Sequence, residues 1–488
     1  MSRVFARKTL VCALAVLGLA TALGAAQAQA APGAARKPVA VSEPVSDTRA
    51  GHFDLLQAWQ ATLAYDPTYQ AAIKERDAGL ENRAIGRAGL LPQVSASLGR
   101  SRVRGTLEQP GQFDQTISTD LNYTSKTNEI RATQTVFNWA RFAEYRQGNA
   151  KADYALAAFD TKAKDTSLRL VNRYFQALLA YENVVLTRNT LDANQKQVKV
   201  AERRYQSGEG TITDVREAES WRDMARADLI AAQDALIVAQ RELQEMVGAR
   251  PVQLAGVRTD FSPRPLDPVT LEGWLGLAMQ SNAEIRTGLQ NVRVADEQVD
   301  ISFGGHLPTL DITASRTIDS SASISTRNQD SAQTSYGFQV SLPVFSGGLT
   351  SAQVSQARFN RDRATQELAA TREKVAVEVT RQYQAVVSGA ERTAALLVAV
   401  KSSQQALVAV EKGYQAGTRS IVDILDAQQQ LYRAQLDLTQ ARLEYVKARL
   451  MLRGAVGTLD EQAFAWVTRE FFGPVNVTLG SVLGSSGG

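Results

Sequence analysis

The chain has 488 residues, of which 44% are hydrophobic and 21% charged, with 54 basic against 50 acidic side chains and one cysteine. Such a length ordinarily means two to four domains. The near balance of charge gives no argument for a nucleic-acid partner, and one cysteine excludes a disulfide within the chain.

At the N-terminus Arg3, Arg7 and Lys8 precede an apolar run from Leu10 to Leu23 and small residues ending in Ala28-Gln29-Ala30. This is the pattern of a cleaved secretory signal over residues 1–30. Cys12 lies inside the run, without the context of a lipoprotein cleavage site, so a mature chain starting near Ala31 keeps no cysteine and no lipid anchor. Residues 31–50, rich in Ala, Pro and Gly and then polar, read as a flexible leader.

Two halves of the chain share landmarks. Leu91-Pro92 answers to Leu307-Pro308, Val136-Phe137 to Val344-Phe345, Phe175-Gln176-Ala177 to Tyr383-Gln384-Ala385, Asp214 to Asp423, and Val247-Gly248 to Val456-Gly457. The nearly constant offset predicts one elongated body built from an internal structural repeat, with the first repeat at 51–248 and the second at 270–457. Each repeat reads as a half-length helix, two strands, a long helix, a tip and a return helix. Residues 249–269, rich in proline, and 458–488 leave this pattern and read as an equatorial linker and a C-terminal equatorial segment.

Apolar residues from Phe53 to about Gly89, and from Leu271 to Phe303, keep helical spacing and predict one helix of roughly 34 residues in each half. After Leu91-Pro92 the period changes to two. Val94, Ala96 and Leu98, then Ile130, Ala132 and Val136, then Leu310, Ile312 and Ala314, then Tyr336, Phe338, Val340 and Leu342 each alternate with polar residues. These predict four strands of about ten residues with one apolar face, as in a membrane barrel. The polar stretches 104–127 and 319–332 read as exposed loops. Tyr336 and Phe338 are expected to face lipid, since no other apolar layer is available to cover them.

From Asn138 and Ser346, each a good cap, the chain runs to Arg204 and Gly413 without proline and almost without glycine, so each long helix would measure about 100 Å. Shorter helices return from Asp214 to Val247 and from Asp423 to Leu452. Between each pair lies a tip, Tyr205-Gln206-Ser207-Gly208-Glu209-Gly210-Thr211 and Tyr414-Gln415-Ala416-Gly417-Thr418-Arg419-Ser420. Glycine supplies the positive φ of a helix C-terminus, and Thr213 or Asp214, and Ser420 or Asp423, are natural caps for the next helix. No later segment has eighteen consecutive apolar residues, so no spanning helix is expected.

Four strands cannot span a membrane alone, because open edges leave backbone groups unpaired in lipid. The chain must oligomerise, and two, three or four copies would give eight, twelve or sixteen strands. No phosphate loop, nucleophile elbow or metal spacing is present, and His52 and His306 stand alone, so neither an enzyme nor a cofactor is expected. The rival from another class is a periplasmic coiled-coil adaptor or scaffold without a barrel, which leaves the four alternating strands unexplained. A cell-wall hydrolase would need a catalytic pair that the sequence lacks.

Leu90-Leu91-Pro92-Gln93, Gly305-His306-Leu307-Pro308-Thr309-Leu310-Asp311, Ser341-Leu342-Pro343-Val344-Phe345, Gly417 to Asp426 and Ala455-Val456-Gly457-Thr458-Leu459 resemble the TolC family of outer-membrane exit ducts. The resemblance implies an α+β membrane protein: a homotrimer with four strands per chain in one 12-stranded β-barrel, continuous with a long α-helical coiled-coil tunnel across the periplasm. It implies no catalytic activity. The role would be the outer conduit of a type I secretion or multidrug efflux system, recruited by a periplasmic adaptor and an inner-membrane ABC or proton-driven transporter. By the same resemblance Arg419 and Tyr414 bond to Thr213 and Asp214 across the tips, and Gln197 pairs with Glu411, together holding the periplasmic end shut. Asp423 and Asp426 match acidic rings at the constriction, and Gly208 and Gly417 match adaptor-docking grooves.

Overall fold

The computed structural model describes residues 51–111, 115–258, 260, 263–321 and 329–479. The signal and leader expected over residues 1–50, and the end of the C-terminal tail from residue 480, lie outside these.

Two helices dominate: α4 (Trp139–Gln206, 68 residues) and α8 (Leu349–Gln415, 67 residues). At 1.5 Å per residue each is about 100 Å long, more than a compact core could enclose. The return helices α5 (Ile212–Val247) and α9 (Ile421–Val456) have 36 residues each and begin two residues before the expected positions. Asn138 caps α4 as expected, its side chain accepting from the Arg141 N–H at 3.2 Å. Ser346 does not cap α8. That helix follows Gly348, at φ 83°, with no side-chain cap, and the Ser346 hydroxyl lies 3.0 Å from the Thr350 hydroxyl instead.

The expected 34-residue helices are both broken. The first is three pieces, α1 (Leu55–Tyr65), α2 (Pro67–Leu80) and α3 (Asn82–Ala88). Pro67 has no N–H to continue the helix, and the Asp66 carboxylate restarts it by accepting from the Tyr69 N–H at 3.0 Å. The second is α6 (Leu271–Ser281) and α7 (Ala283–Phe303), divided at Asn282. The Asn282 side chain accepts from the N–H groups of Glu284 and Ile285 and donates to the Ala455 carbonyl at 2.7 Å. One buried amide thus breaks a helix and ties it to the C-terminal end of α9. Against α4, α3 approaches so closely that a Cβ on Gly86 would sit 2.9 Å from the Glu144 carbonyl oxygen, so a side chain there would part the helices.

Four strands, β2 (Gln93–Pro110), β3 (Thr116–Phe137), β5 (Thr309–Ser321) and β6 (Gln329–Ser341), form one antiparallel sheet in the order β2-β3-β5-β6. Val94, Ala132, Ala314 and Tyr336 share a cross-strand row, and Ile312 pairs with Phe338 in the next. Tyr336 and Phe338 are 87% and 77% exposed, on an apolar face that the chain itself does not cover. Strands of 18, 22, 13 and 13 residues replace the expected ten. Most of 104–127 is paired strand, not loop: Arg104 faces Asn122 and Glu108 faces Ser118. An alternation does run through them, with Val103 facing Tyr123, Leu107 facing Thr119 and Ile117 facing Gln109 on one side of the sheet, but it falls on odd positions whereas Val94, Ala96 and Leu98 hold even ones, so it is out of phase with the apolar row below.

The equatorial stretches hold a second sheet. β1 (His52–Phe53) pairs in parallel with β4 (Gln253–Val257), and β4 antiparallel with β7 (Phe472–Thr478), which follows α10 (Glu461–Phe471). Tyr174 of α4 fastens this sheet to the shaft. Its hydroxyl donates to the Ala255 carbonyl at 3.0 Å and accepts from the Ala255 N–H at 3.1 Å, and burial pushes the phenol well above its ordinary pKa. Around it lies the main core, where Phe175, Leu178, Leu243, Tyr445, Val446, Phe464 and Phe471 meet.

One 18-residue window of α8 reaches a mean hydropathy of 1.3, so by composition it could cross a membrane, which the count of consecutive apolar residues did not show. Only 11% of that window is buried within the chain. Leu397 and Val398 are exposed along the same helix.

Candidate functional site

The far ends of the two helical hairpins lie together. Val198 and Ala201 of α4, Val215 and Ala218 of α5, and Ile421 and Leu425 of α9 form a small core separate from the equatorial one, with Tyr414 at the end of α8 packed against it. Tyr414 also borders the neighbouring cluster of Leu407, Ile424 and Leu431. This ring therefore joins the two hairpins.

Both tips solve the same backbone problem in the same way. Gly208 and Gly417 each adopt φ 78°, and each would have open space around a Cβ, so conformation and not crowding calls for glycine. Thr211 and Ser420 are the caps. Their hydroxyls accept from the N–H groups of Asp214 (3.1 Å) and Asp423 (3.2 Å), while the Asp214 and Asp423 carboxylates accept from the cap N–H groups at 3.0 and 2.8 Å. These are reciprocal capping boxes. Asp214 and Asp423 close them from the third helical position, and Thr213, exposed, has no part in the cap. The bonds from the Ser420 N–H and hydroxyl hold the Asp423 carboxyl below its ordinary pKa, with the Arg419 guanidinium helping.

The remaining residues fall into two groups. Arg419 reaches along its own hairpin, its Nη1 3.7 Å from Asp423 Oδ1. Tyr414 lies under the Arg204 guanidinium, 4.5 Å from its ring centroid, a contact that crosses from α4 to α8. Among the described residues of this one chain, Thr213 and Asp214 make no hydrogen bond to Tyr414 or Arg419. Gln197 and Glu411 line one cavity of about 370 Å³ with Asn189, Asp192, Ala193, Lys196 and Gln428, but no hydrogen bond joins them directly. Asp426 projects as an exposed carboxylate on α9. Arg204 and Gln428 were not singled out in the sequence. Arg204 carried a signal, as a cation in the last turn of α4, while nothing in the pattern marked Gln428.

A sheet with one uncovered apolar face and two open edges, continuous with a shaft about 100 Å long that ends in a charged, capped tip, defines a membrane-embedded channel component that reaches far into an aqueous compartment. The family described as outer membrane efflux protein matches residues 58–249 and 274–458. The alkaline protease secretion protein AprF of Pseudomonas aeruginosa is 32% identical over 423 residues, covering 86% of this chain and 87% of that protein. The outer membrane protein TolC of Escherichia coli K12 is 27% identical over 438 residues, covering 87% and 86%. In fold, the outer membrane protein VceC of Vibrio cholerae superposes with a TM-score of 0.70 at 18% identity, over 83% of this chain and 97% of that one. The chain belongs to the outer membrane efflux protein family. It is a TolC-family exit duct of the outer membrane, extending into the periplasm.

Proposed function

We propose that three copies of this chain close one 12-stranded barrel and one helical tunnel, forming the outer conduit of a tripartite system gated at its periplasmic tips. The observation that carries this reading is the four-stranded sheet, whose β2 and β6 edges are open and whose face presents Tyr336 and Phe338 outward. Backbone groups at such edges cost several kcal/mol each in hydrocarbon, so neighbouring copies must supply their partners. The exposed apolar window of α8 supports the same closure, because a second copy would cover it. Two repeats, 51–248 and 270–457, joined by the equatorial linker 249–269 and followed by the C-terminal segment 458–488, give each protomer two passes from barrel to tip. A scaffold without a barrel would leave both the sheet's apolar face and its edges unexplained.

In this reading Gln197, Glu411, Thr213, Asp214, Tyr414 and Arg419 hold the tips shut. Asp423 and Asp426, three residues apart on one helix face, become six carboxylates around a threefold axis. The grooves beside Gly208 and Gly417 receive a periplasmic adaptor, which links the duct to an inner-membrane ABC or proton-driven transporter. The likeness to AprF favours a secreted protein as cargo over small molecules. The chain itself carries transport and no catalysis.

Single-channel recording in planar bilayers, with wild type beside Asp423→Asn/Asp426→Asn, tests this. Asparagine keeps an acceptor for the Ser420 cap while removing the charge. A small cation-selective conductance that loses its selectivity in the variant is expected, from a particle with three times the protomer mass. A detergent-free soluble particle, or selectivity unchanged by the double substitution, would overturn the reading.

A further inference from the structure

The register between α4 and α9 is set by polar rungs. The Tyr432 hydroxyl on α9 donates to Asn183 Oδ1 at 3.1 Å and lies 3.1 Å from the Thr187 hydroxyl, both on α4. One turn nearer the tip on the same face of α9 is Gln428, since residues four apart are stacked along a helix. Gln428 enters the cavity that also holds Gln197 and Glu411. Its Oε1 is buried and accepts no hydrogen bond, although Asn189, Lys196 and Gln197 bring side-chain N–H donors to the same cavity from α4. Lys196 makes no ion pair with the carboxylates there among the described residues.

A buried amide oxygen without a donor is costly, and cavities of this size and polarity take up water or let side chains turn to meet. Gln428 also sits on the helix that carries Asp423 and Asp426, five and two residues away. At 100° per residue Gln428 is about 140° around the helix from Asp423, so the two point to different sides. Any rotation of α9 that moves the acidic face also moves Gln428 relative to α4.

We propose that Gln428 is a third limb beside the Gln197 and Glu411 pair of the gate, together an inner latch: a positioning residue whose Oε1, unpaired in the single chain, takes an α4 amide or ammonium donor when the assembled duct shuts and so fixes the rotation of α9. This rests on the tip-gate reading above. The latch then joins three helices, with Gln197 on α4, Glu411 on α8 and Gln428 on α9, so that α9 cannot turn without breaking it.

The test is single-channel recording of Gln428→Leu and Gln428→Glu in detergent-purified trimers, with Tyr414→Phe/Arg419→Ser recorded in parallel. Leucine keeps the volume and loses the acceptor, whereas glutamate keeps the acceptor. Gln428→Leu should raise open-state occupancy roughly five-fold, equivalent to one hydrogen bond of about 1 kcal/mol, while Gln428→Glu stays shut. A residue serving only to fill space would give the opposite order. The rise should also be non-additive with Gln197→Ala, because both variants break one latch. A leaky Tyr414→Phe/Arg419→Ser beside a tight Gln428→Leu overturns the third limb and leaves the gate standing. If no variant leaks from an assembled trimer, the gate reading fails and the latch with it. Should Gln428→Leu not assemble, Gln428→Ser, which shortens the acceptor beyond reach, must leak for the proposal to survive.

Discussion

The two tips share a backbone and differ in what they hold out from it. In both, a glycine at φ 78° ends the long helix, and a hydroxyl cap with an acidic residue three positions on starts the return helix. The first tip then offers Glu209 and Gly210, and the N–H groups of both donate to the Arg204 carbonyl, at 2.8 and 3.0 Å. The second offers Thr418 and Arg419. The Thr418 hydroxyl folds back on the Gly413 carbonyl at 3.0 Å, while Arg419 remains 58% exposed at the side chain beside Asp423. The comparison separates two jobs. Turning the chain needs only glycine, a hydroxyl and a carboxylate, whereas the cations beside the turns differ: Arg204 already lies on the Tyr414 ring of the other hairpin, and Arg419 is an exposed arm beside Asp423 of its own.

The largest effect should come from removing that arm. Tyr414→Phe with Arg419→Ser is expected to raise conductance severalfold, while Glu209→Ser in the first tip leaves it nearly unchanged; equal effects in bilayer recordings would erase the distinction between the tips. Breaking the shared part should instead treat the tips alike. Gly208→Ala and Gly417→Ala each force a Cβ into the left-handed region at a local cost of about 1–2 kcal/mol, with no clash to add because both sites are open. Hydrogen exchange at the starts of α5 and α9 should show the same loss of protection for both. A markedly larger loss at Gly417 would mean that the second turn is held by contacts that the first lacks.

What could be read from the sequence follows from which forces leave a periodic trace. The long helices, the tip glycines and the apolar rows of the sheet were legible because each depends on spacing along one segment. The breaks at Asp66-Pro67 and Asn282 were harder, because a helical apolar pattern continues across them and the deciding groups are a missing N–H and one buried amide. The extended hairpin of residues 104–127 reads as loop because its few apolar residues, Leu107, Ile117, Leu121 and Tyr123, are spread among many polar ones and fall out of phase with the Val94 row. The short strands at 52–53, 253–257 and 472–478 pair across more than 200 positions and have too few residues to show a period. At the tip, Asp214 and Asp423 were visible as acidic first-turn residues. The Arg204 contact to the Tyr414 ring and the bare oxygen of Gln428 arise only from the meeting of hairpins, which no local pattern encodes.

The smallest effect is in the capping box of the second tip and is set by pH. Asp423 has a carboxyl pKa lowered first by the Ser420 N–H, then by the Ser420 hydroxyl and by Arg419. A depressed pKa in the folded tip means that the ionised form contributes stability above the unfolded value of about 3.9, and that this contribution fades as pH falls through the lower folded value. The start of α9 should therefore keep its amide protection from neutral pH down to about pH 4 and lose it below. Because the carboxylate is in contact with solvent, the change should be a local fraying of the first turn and not a loss of the trimer. Asp423→Asn should flatten this pH dependence while keeping most of the protection at neutral pH, since its amide oxygen still meets the Ser420 N–H. If protection in the asparagine variant still falls with the wild-type pH profile, the proton is being taken up elsewhere, and the cap is not what couples this tip to acid.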